Sequence, residues 1–297
     1  MKKINVIKQN MHLICNCFIK CIGVTASILS VIFLFITWED FGITKLLFKL
    51  EIIAIICAIL LLWSILWSCV LKKQKVIWQS ASGRIIVQYS DLLEEGFKKK
   101  NNRDCLYVIP VNSAFDTIVD TDISLCSKPL ISPNSLHGKW IKKVIENGGS
   151  IEDIDNEITS YLEKQEIKPC KILSKENKER GKRKIYELGT VSIIKGVTGN
   201  TFLLLAATNF DENNNAYVSV EEVEYVIKAL IRFYNQHGQG HELMIPLMGT
   251  NLSRAGLSHD DSLRILTSMF QLYGDLIHGD VRIVIYKGDK DKVTLGV

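Results

Sequence analysis

Leu243-Met244-Ile245-Pro246-Leu247-Met248 runs into Gly249-Thr250-Asn251-Leu252-Ser253-Arg254-Ala255-Gly256, and then into Ser258-His259-Asp260-Asp261. The first piece is short and continuously apolar, which suits a strand covered on both faces. The last piece sets Ser258 three residues ahead of Asp261, the signature of a capped helix start, and the helix is expected to run to about Ile277. Between them lies a loop with glycines at both ends, small hydroxyls, one Arg and a run of backbone N–H groups. A strand that feeds such a loop into a helix N-terminus can cradle a diphosphate without a metal. Ordinary turns share this composition, so the loop by itself assigns no ligand.

The same strand-then-helix alternation extends back to about Val76. Arg84 to Tyr89, Cys105 to Val111, Val191 to Lys195, Thr201 to Thr208 and Val281 to Tyr286 read as further strands. Ser135 caps a helix through Glu146, with Leu136, Trp140, Ile141, Val144 and Ile145 on its apolar face. Ser150 with Asp153 opens another, and Ser219 with Glu222 forms a capping box before Val223, Val226, Ile227, Leu230, Ile231 and Tyr234. The basic stretch Lys171 to Lys184 reads as an exposed connection. The pattern predicts a three-layer α/β/α domain with a mixed sheet over residues 76–297. Ligands bind such sheets at the carboxyl ends of the strands. There the loops Ser90-Asp91-Leu92-Leu93, Val111 to Thr117, Ile131-Ser132-Pro133-Asn134-Ser135-Leu136-His137-Gly138 and Gly249 to Gly256 converge.

Residues 1–75 have a different character. Cys21 to Ile36 is apolar or small almost throughout, and Leu50 to Leu71 carries one charge, Glu51, at its start. The second run is long enough to span a hydrocarbon core of about 30 Å at about 1.5 Å per residue. The first reaches that length only with flanking residues. Two spans are expected, at about 18–38 and 50–71. A buried helix of a soluble protein would show an amphipathic stripe, and a cleaved signal peptide would show a small-residue cleavage site; neither is visible. Lys2, Lys3, Lys8 and Lys20 precede the first span, and Lys72, Lys73 and Lys75 follow the second, against Lys45 and Lys49 in the loop. This bias predicts a multi-pass inner-membrane protein with both termini cytoplasmic.

The net charge of +4 is accounted for by these topology signals and by contacts to anionic lipid, and nothing in it calls for nucleic acid. Eight cysteines, five of them in or beside the membrane runs, imply no disulfide framework in a reducing cytosol. His237 and His241 are separated by glycines and lack a neighbouring Glu, so a zinc-protease motif fails. No Ser/His/Asp or Cys/His set stands at recognisable spacing. Phe115 is by base rate a core residue, although its loop position would suit stacking on a ribose or base. A lone Asp91 after a strand is usually a turn or cap residue.

In this order the loops resemble the macro domain, a module known for binding ADP-ribose. Ser90-Asp91-Leu92 is similar to that family's Gly-Asp-Ile element, whose Asp recognises the adenine amino group. Val111-Asn112-Ser113-Ala114 is similar to its Val-Asn-Ala-Ala segment, which lines the distal ribose. Leu188-Gly189-Thr190-Val191 resembles the element before its central strand, Ile245 to Gly256 its Phe-Pro strand and diphosphate loop, and Val281 to Tyr286 its closing strand. The resemblance covers roughly Arg84 to Val297. It implies a ligand site made of Asp91, Leu92, Asn112, Phe115, Ser132, Ser135, His137 and Gly138 with Gly249, Thr250, Asn251, Leu252, Ser253, Arg254, Ala255 and Gly256. The implied ligand is an ADP-ribose derivative, with no metal or other cofactor.

Departures from the family pattern bear on activity. The Gly-Gly-Gly run after the Asn segment is replaced by Ile131 to Gly138, Phe115 stands where a second Asn is usual, and the Gly249 loop is longer. A role as a binding effector is therefore expected rather than as a hydrolase of ADP-ribose derivatives, which remains the alternative. Behind two apolar helices, Val111 to Thr117 with Ser135 to Gly138 resembles the membrane-anchored macro effectors of type II Thoeris antiphage systems. That resemblance implies a signal of the histidine–ADP-ribose class, made by a TIR-domain partner. It also implies contact with membrane lipid, a homo-oligomer, and membrane injury that ends in abortive infection.

Overall fold

The computed structural model describes residues 6–8, 10–71, 73–98, 105–120, 129–195, 199–211, 214–250 and 255–295. The chain forms two compact units. One joins Met1–Lys75 with Gly288–Val297, and the other is Val76–Lys287.

In the first unit, α1 (Met11–Ile32) and α2 (Leu46–Leu66, continued by a π-helical turn over Trp67–Leu71) are packed against each other. Both are long and apolar enough to cross a membrane. Only 6% and 11% of their most apolar windows are buried, so they are not core helices of a soluble domain. Ile19, Leu34, Phe35, Leu47 and Leu62 all lie well exposed. The first helix starts earlier than the apolar run suggests and ends at Ile32, before Trp38. A turn follows, in which the Asp40 carboxylate accepts hydrogen bonds from Thr37 N and Oγ1 at 2.6 and 2.8 Å. The C-terminal residues belong to this unit: Thr294 Oγ1 donates to Asn10 Oδ1 at 2.8 Å, and the neighbouring Val293 and Leu295 are buried.

The second unit is built on one sheet. Its strands are β1 (Gln74–Gln79), β2 (Arg84–Ser90), β3 (Cys105–Asn112), β6 (Val191–Lys195), β7 (Thr201–Phe210), β8 (Ala216–Tyr217), β9 (Glu242–Pro246) and β10 (Val281–Tyr286). A separate two-stranded ribbon pairs β4 (Lys171–Ile172) with β5 (Lys184–Ile185). The order across the main sheet is β1-β2-β10-β9-β3-β7-β6, with β8 on the end of β7. β2, β10, β9, β3 and β7 run parallel; β6 and β8 are antiparallel to β7. The helices are α3 (Leu92–Gly96), α4 (Leu136–Glu146), α5 (Ile151–Lys164), α6 (Val220–His237) and α7 (His259–Leu272). On one face Ile109, Val111, Phe202 and Leu204 pack with Trp140, Ile141 and Val144 of α4 and with Ile154, Ile158 and Leu162 of α5. Strand alternation turns Val108, Leu203 and Leu205 to the opposite face, where α6 packs on β7 and α7 packs on β2 and β10. The sheet is thus mixed and flanked by helices on both sides.

The four Ser caps form as the sequence implies. Ser135 accepts from Gly138 N, Ser150 and Ser219 make full capping boxes with Asp153 and Glu222, and Ser258 accepts from Asp261 N. Differences are local. α7 stops at Leu272, with a 3₁₀ turn over Gly274–Leu276, and β7 runs on to Phe210, where it forms the hairpin with β8. The Lys171–Lys184 stretch is not simply an exposed connection. Lys178 is only 7% exposed, and its Nζ lies 2.6 Å from Asp116 Oδ2, beneath the loop that follows β3. Arg180 meets Asp120 at 2.6 Å, and Lys182 meets Asp155 at 2.6 Å. The clustered basic residues are counter-charges for three carboxylates, which a count of charges along the chain does not reveal.

Candidate ligand site at the carboxyl ends of the parallel strands

A cavity of about 410 Å³ opens where β9, β3 and β7 end. Its floor is Pro110, Val111 and Asn112 of β3 with Ala207 and Thr208 of β7. One wall is Leu130 to Ser132 with Ser135 to His137, another is the β7–β8 hairpin, and a third is Pro246 to Thr250. The pairing of β3 with β7 slips between Val111 and Asn112, so Ala207 is an extra residue at the cavity rim. Such a bulge re-aims side chains beside a site.

Asn112 is buried and holds the loop after β3 in shape. Its Oδ1 accepts from Ala114 N and Asp116 N, both at 3.1 Å, and its Nδ2 donates to Asp116 Oδ2 at 3.1 Å. Asp116 in turn accepts from Lys178 Nζ and from Lys182 N at 2.6 Å. A fully buried carboxylate needs this number of donors, because an unpaired buried charge is strongly destabilising. Phe115, at φ 53° and 1% exposed, meets Tyr186 edge-on at 5.7 Å and belongs to the core. It does not line the cavity. Its side chain is turned away because the Asn112–Asp116 turn directs the polar groups inward and leaves the ring to the apolar layer beneath.

Ser132, Ser135 and His137 line the cavity; Gly138 does not. Gly138 serves packing instead, since a Cβ there would stand 2.3 Å from the Ser132 carbonyl oxygen. His137 is buried, and desolvation together with the nearby Lys182 ammonium lowers its pKa to about 3. It is a neutral imidazole at physiological pH and presents one donor and one acceptor nitrogen.

Gly249 and Thr250 complete the third wall. Gly249 has φ 75°, and a Cβ on it would meet Leu257 Cδ1 at 2.7 Å, so both conformation and space restrict this position to glycine. Met248 is fixed just before it: Ser262 Oγ of α7 accepts from Met248 N at 2.9 Å and donates to Met248 O at 2.5 Å. A bridge between Thr250 and Leu257 closes the base of the loop. Asn251, Leu252, Ser253 and Arg254 lie outside the described residues; Ala255 and Gly256 follow them and do not line the cavity.

Asp91 and Leu92 lie apart, at the end of β2. Asp91 caps α3, its Oδ1 accepting from Leu93 N at 3.0 Å and Glu94 N at 3.2 Å, and Leu92 is buried. β2 is separated from β9 by β10, so Asp91 stands about 10 Å from the end of β9 across the sheet.

The chain that folds into this mixed sheet, with an Asn-anchored turn after β3 and a glycine loop after β9, matches a known family over residues 85–286: the macro domain of the Thoeris protein ThsA. The chain belongs to this ThsA macro-domain family. It is 29% identical over 195 residues to the Thoeris protein ThsA of Bacillus amyloliquefaciens (strain Y2), an alignment that covers 63% of this chain and 59% of that protein. Two solved structures of the Oceanobacillus iheyensis macrodomain are also similar, at 9% identity each. The one with ADP covers 74% of this chain and 93% of its own, with a TM-score of 0.44. A mutant with ADPR covers 73% and 92%, with a TM-score of 0.45.

In this ThsA-family domain several cavity residues escape a reading by motif. Phe210, Asn214, Asn215 and Ala216 come from the hairpin after β7. Its signal is the polar run Asp211 to Asn215 between an apolar strand and the Ser219 cap, a turn composition. Asp211 pins that turn by accepting from Asn215 N at 2.7 Å and Asn215 Nδ2 at 3.0 Å.

Proposed function

We propose that this protein is a membrane-anchored effector of antiphage defence whose macro domain binds an ADP-ribose-derived signal. The observation that carries this reading is the placement of the cavity. It sits at the carboxyl ends of three parallel strands, between the Asn112 turn and the Gly249 loop that leads into α7. A diphosphate in that loop would meet backbone N–H groups and the positive end of the α7 dipole. Arg254 adds a counter-charge from the sequence. Asp91 is the candidate for the adenine end, and the Asn112 turn for the distal ribose.

The signal is assigned to the histidine–ADP-ribose class and its source to a TIR-domain enzyme, in keeping with membership of the ThsA family. The two apolar helices are the natural output: bound ligand changes the association of effector copies, and the hairpins then breach the inner membrane. Binding is favoured over hydrolysis because the Asn112 amide is spent on its own turn. Its carbonyl oxygen accepts two backbone N–H groups and its NH₂ faces Asp116, which leaves little of it to activate a water. The test is titration of the full-length protein in detergent micelles with ADP-ribose, followed by chromatography of the recovered nucleotide. Saturable binding with intact ligand is expected. Absence of binding would sink the reading, and steady conversion of the ligand would make the protein a hydrolase.

A further inference from the structure

We infer that the outward face of α6 is a self-association surface, which pairs antiparallel with the same face of a second copy about a two-fold axis. The contact is independent of what fills the ligand cavity. It gives the association of effector copies a place on the fold.

α6 buries Val223, Val226, Ile227, Leu230, Ile231 and Tyr234, and helical spacing puts Glu221, Tyr225, Lys228 and Arg232 on the opposite side. Glu221 and Arg232 are exposed, and neither has an ion-pair partner among the described residues. Tyr225 is 53% exposed. This outer stripe is acidic toward the helix N-terminus and basic toward its C-terminus. Such polarity also complements the helix dipole, which by itself would call for no partner. It does not account for the exposed ring in the middle of the stripe, nor for the groove beside it.

That groove, of about 530 Å³, lies between α6, the end of α5 and the chain entering β6, and it shares no residue with the ligand cavity. Gly189, at φ 86°, brings the chain before β6 close against α6; a Cβ there would stand 2.5 Å from Ala229 Cβ. Tyr161, Tyr225 and Phe233 supply rings to the groove, and Lys228 and Arg232 supply cations. Among the described residues that line it there is no Asp or Glu. A lining of this kind suits a partner that brings carboxylates and an aromatic ring. The N-terminal half of α6 carries both, in Glu221 and Tyr225.

An antiparallel pairing centred between Val226 and Ile227 sets Glu221 of each copy opposite Arg232 of the other, and Tyr225 opposite Lys228. The Lys228 ammonium already stands over the Tyr273 ring, 5.8 Å from its centroid, and the pairing adds a second ring to the same cation. A parallel pairing would instead set like charges together. Exposed ion pairs contribute little singly, so the contact is weak between free molecules and forms where anchoring concentrates the copies. On its inner side α6 gives Val223 to the ligand cavity, so one helix reaches both places.

The test uses full-length protein in phosphatidylcholine vesicles, with donor or acceptor fluorescent proteins fused ahead of Met1 and energy transfer as the readout. Glu221→Arg and Arg232→Glu are each expected to weaken association about tenfold, because two attractive pairs become two repulsive ones. Mixing the two variants is expected to restore association to the wild-type level. Across a two-fold axis each variant's altered position meets the opposite charge on the other, and both pairs are again of opposite sign. A substitution that merely perturbed α6 would not be rescued in this way, and the recovery also reports that both variants are folded. Wild-type transfer no higher than that of randomly placed chains at the same density would overturn the contact. So would single variants that associate like the wild type, or a mixture that associates no better than its components. Each of these results would leave the groove to a partner other than this chain.

Discussion

Asp91 has one observed role and one proposed role. Its Oδ1 caps α3 through Leu93 N and Glu94 N, and the family resemblance assigns its carboxylate to the adenine amino group. Asp91→Ala would remove both roles, so a loss of binding in that variant would not separate them. Asp91→Asn keeps a capping oxygen and removes the charge. We expect Asp91→Ala to lower stability by about 1 kcal/mol. Asp91→Asn should melt within a degree or two of the parent, given that about 1 kcal/mol shifts Tm by about 2–4 °C in a chain of this size. Both should bind ADP-ribose more weakly. An Asp91→Asn protein with unchanged affinity would reduce Asp91 to a cap. His137 gives a pH signature. Its pKa falls from 6.5 to about 3 in the folded chain, chiefly through burial. Below about pH 6.5 the unfolded chain takes up a proton that the folded chain refuses. Stability is therefore full above that pH and is lost as pH falls toward 3, with a slope of up to about 1.4 kcal/mol per pH unit. Melting curves between pH 7.5 and 5 should fall less steeply for His137→Gln. Parallel slopes would mean that His137 takes its proton in place.

At the scale of elements, the fold was legible wherever a backbone rule leaves a mark in composition. Val191–Lys195 and Val281–Tyr286 have the limits that their apolar runs imply, and each long helix of the macro domain starts at its Ser cap. The four loops at the carboxyl ends of the strands were legible as places but not as surfaces. Nothing in Phe115 tells whether its ring faces a ligand or Tyr186; a φ of 53° decides that, and it follows from the Asn112–Asp116 hydrogen bonds. The Asp116–Lys178 pair joins residues 62 apart, and no local pattern announces it. Ser262 was equally silent, a buried polar residue inside an amphipathic helix, yet it ties α7 to the end of β9 through both polar groups of Met248. Ser262→Ala would leave Met248 N and O without that partner in a buried place, a loss of about 1–3 kcal/mol. It would also loosen the Gly249 wall. We expect a lower melting temperature and weaker ADP-ribose binding, with ADP affected as much as ADP-ribose because the loop is assigned to the diphosphate. An effect on ADP-ribose alone would place the Gly249 loop at the ribose end instead.

The whole molecule is divided unequally in sequence. The helical unit takes residues from both ends of the chain, Met1–Lys75 and Gly288–Val297, and the macro unit is the stretch between them. β10 lies in the sheet beside β9, whose end carries the Gly249 loop, and the chain passes from β10 through Lys287–Asp289 into the C-terminal segment of the helical unit. The macro-domain sheet is therefore linked covalently to the helical unit at two points, one within β1 between Lys75 and Val76 and one after β10. This connectivity bears on how a soluble form should be cut. A fragment of residues 73–297 would keep the buried Val293 and Leu295 but remove the helices of the unit to which they belong. A fragment of residues 73–287 ends at the unit boundary. We expect the shorter fragment to be soluble and to bind ADP-ribose like the full-length protein, and the longer one to self-associate through its exposed apolar tail. Size-exclusion chromatography and the same titration distinguish them. In cells that also make the signal, the effector reading predicts that the full chain arrests growth and depolarises the membrane, whereas residues 73–287 bind the signal and are harmless. A ligand shifts an equilibrium only through the states it binds differently, and a fragment without helices has no membrane state to shift. Growth curves with a membrane-potential dye are the measurement. Killing by residues 73–287 in the presence of the signal would show that the membrane is not the target, and that the macro domain acts by consuming a nucleotide.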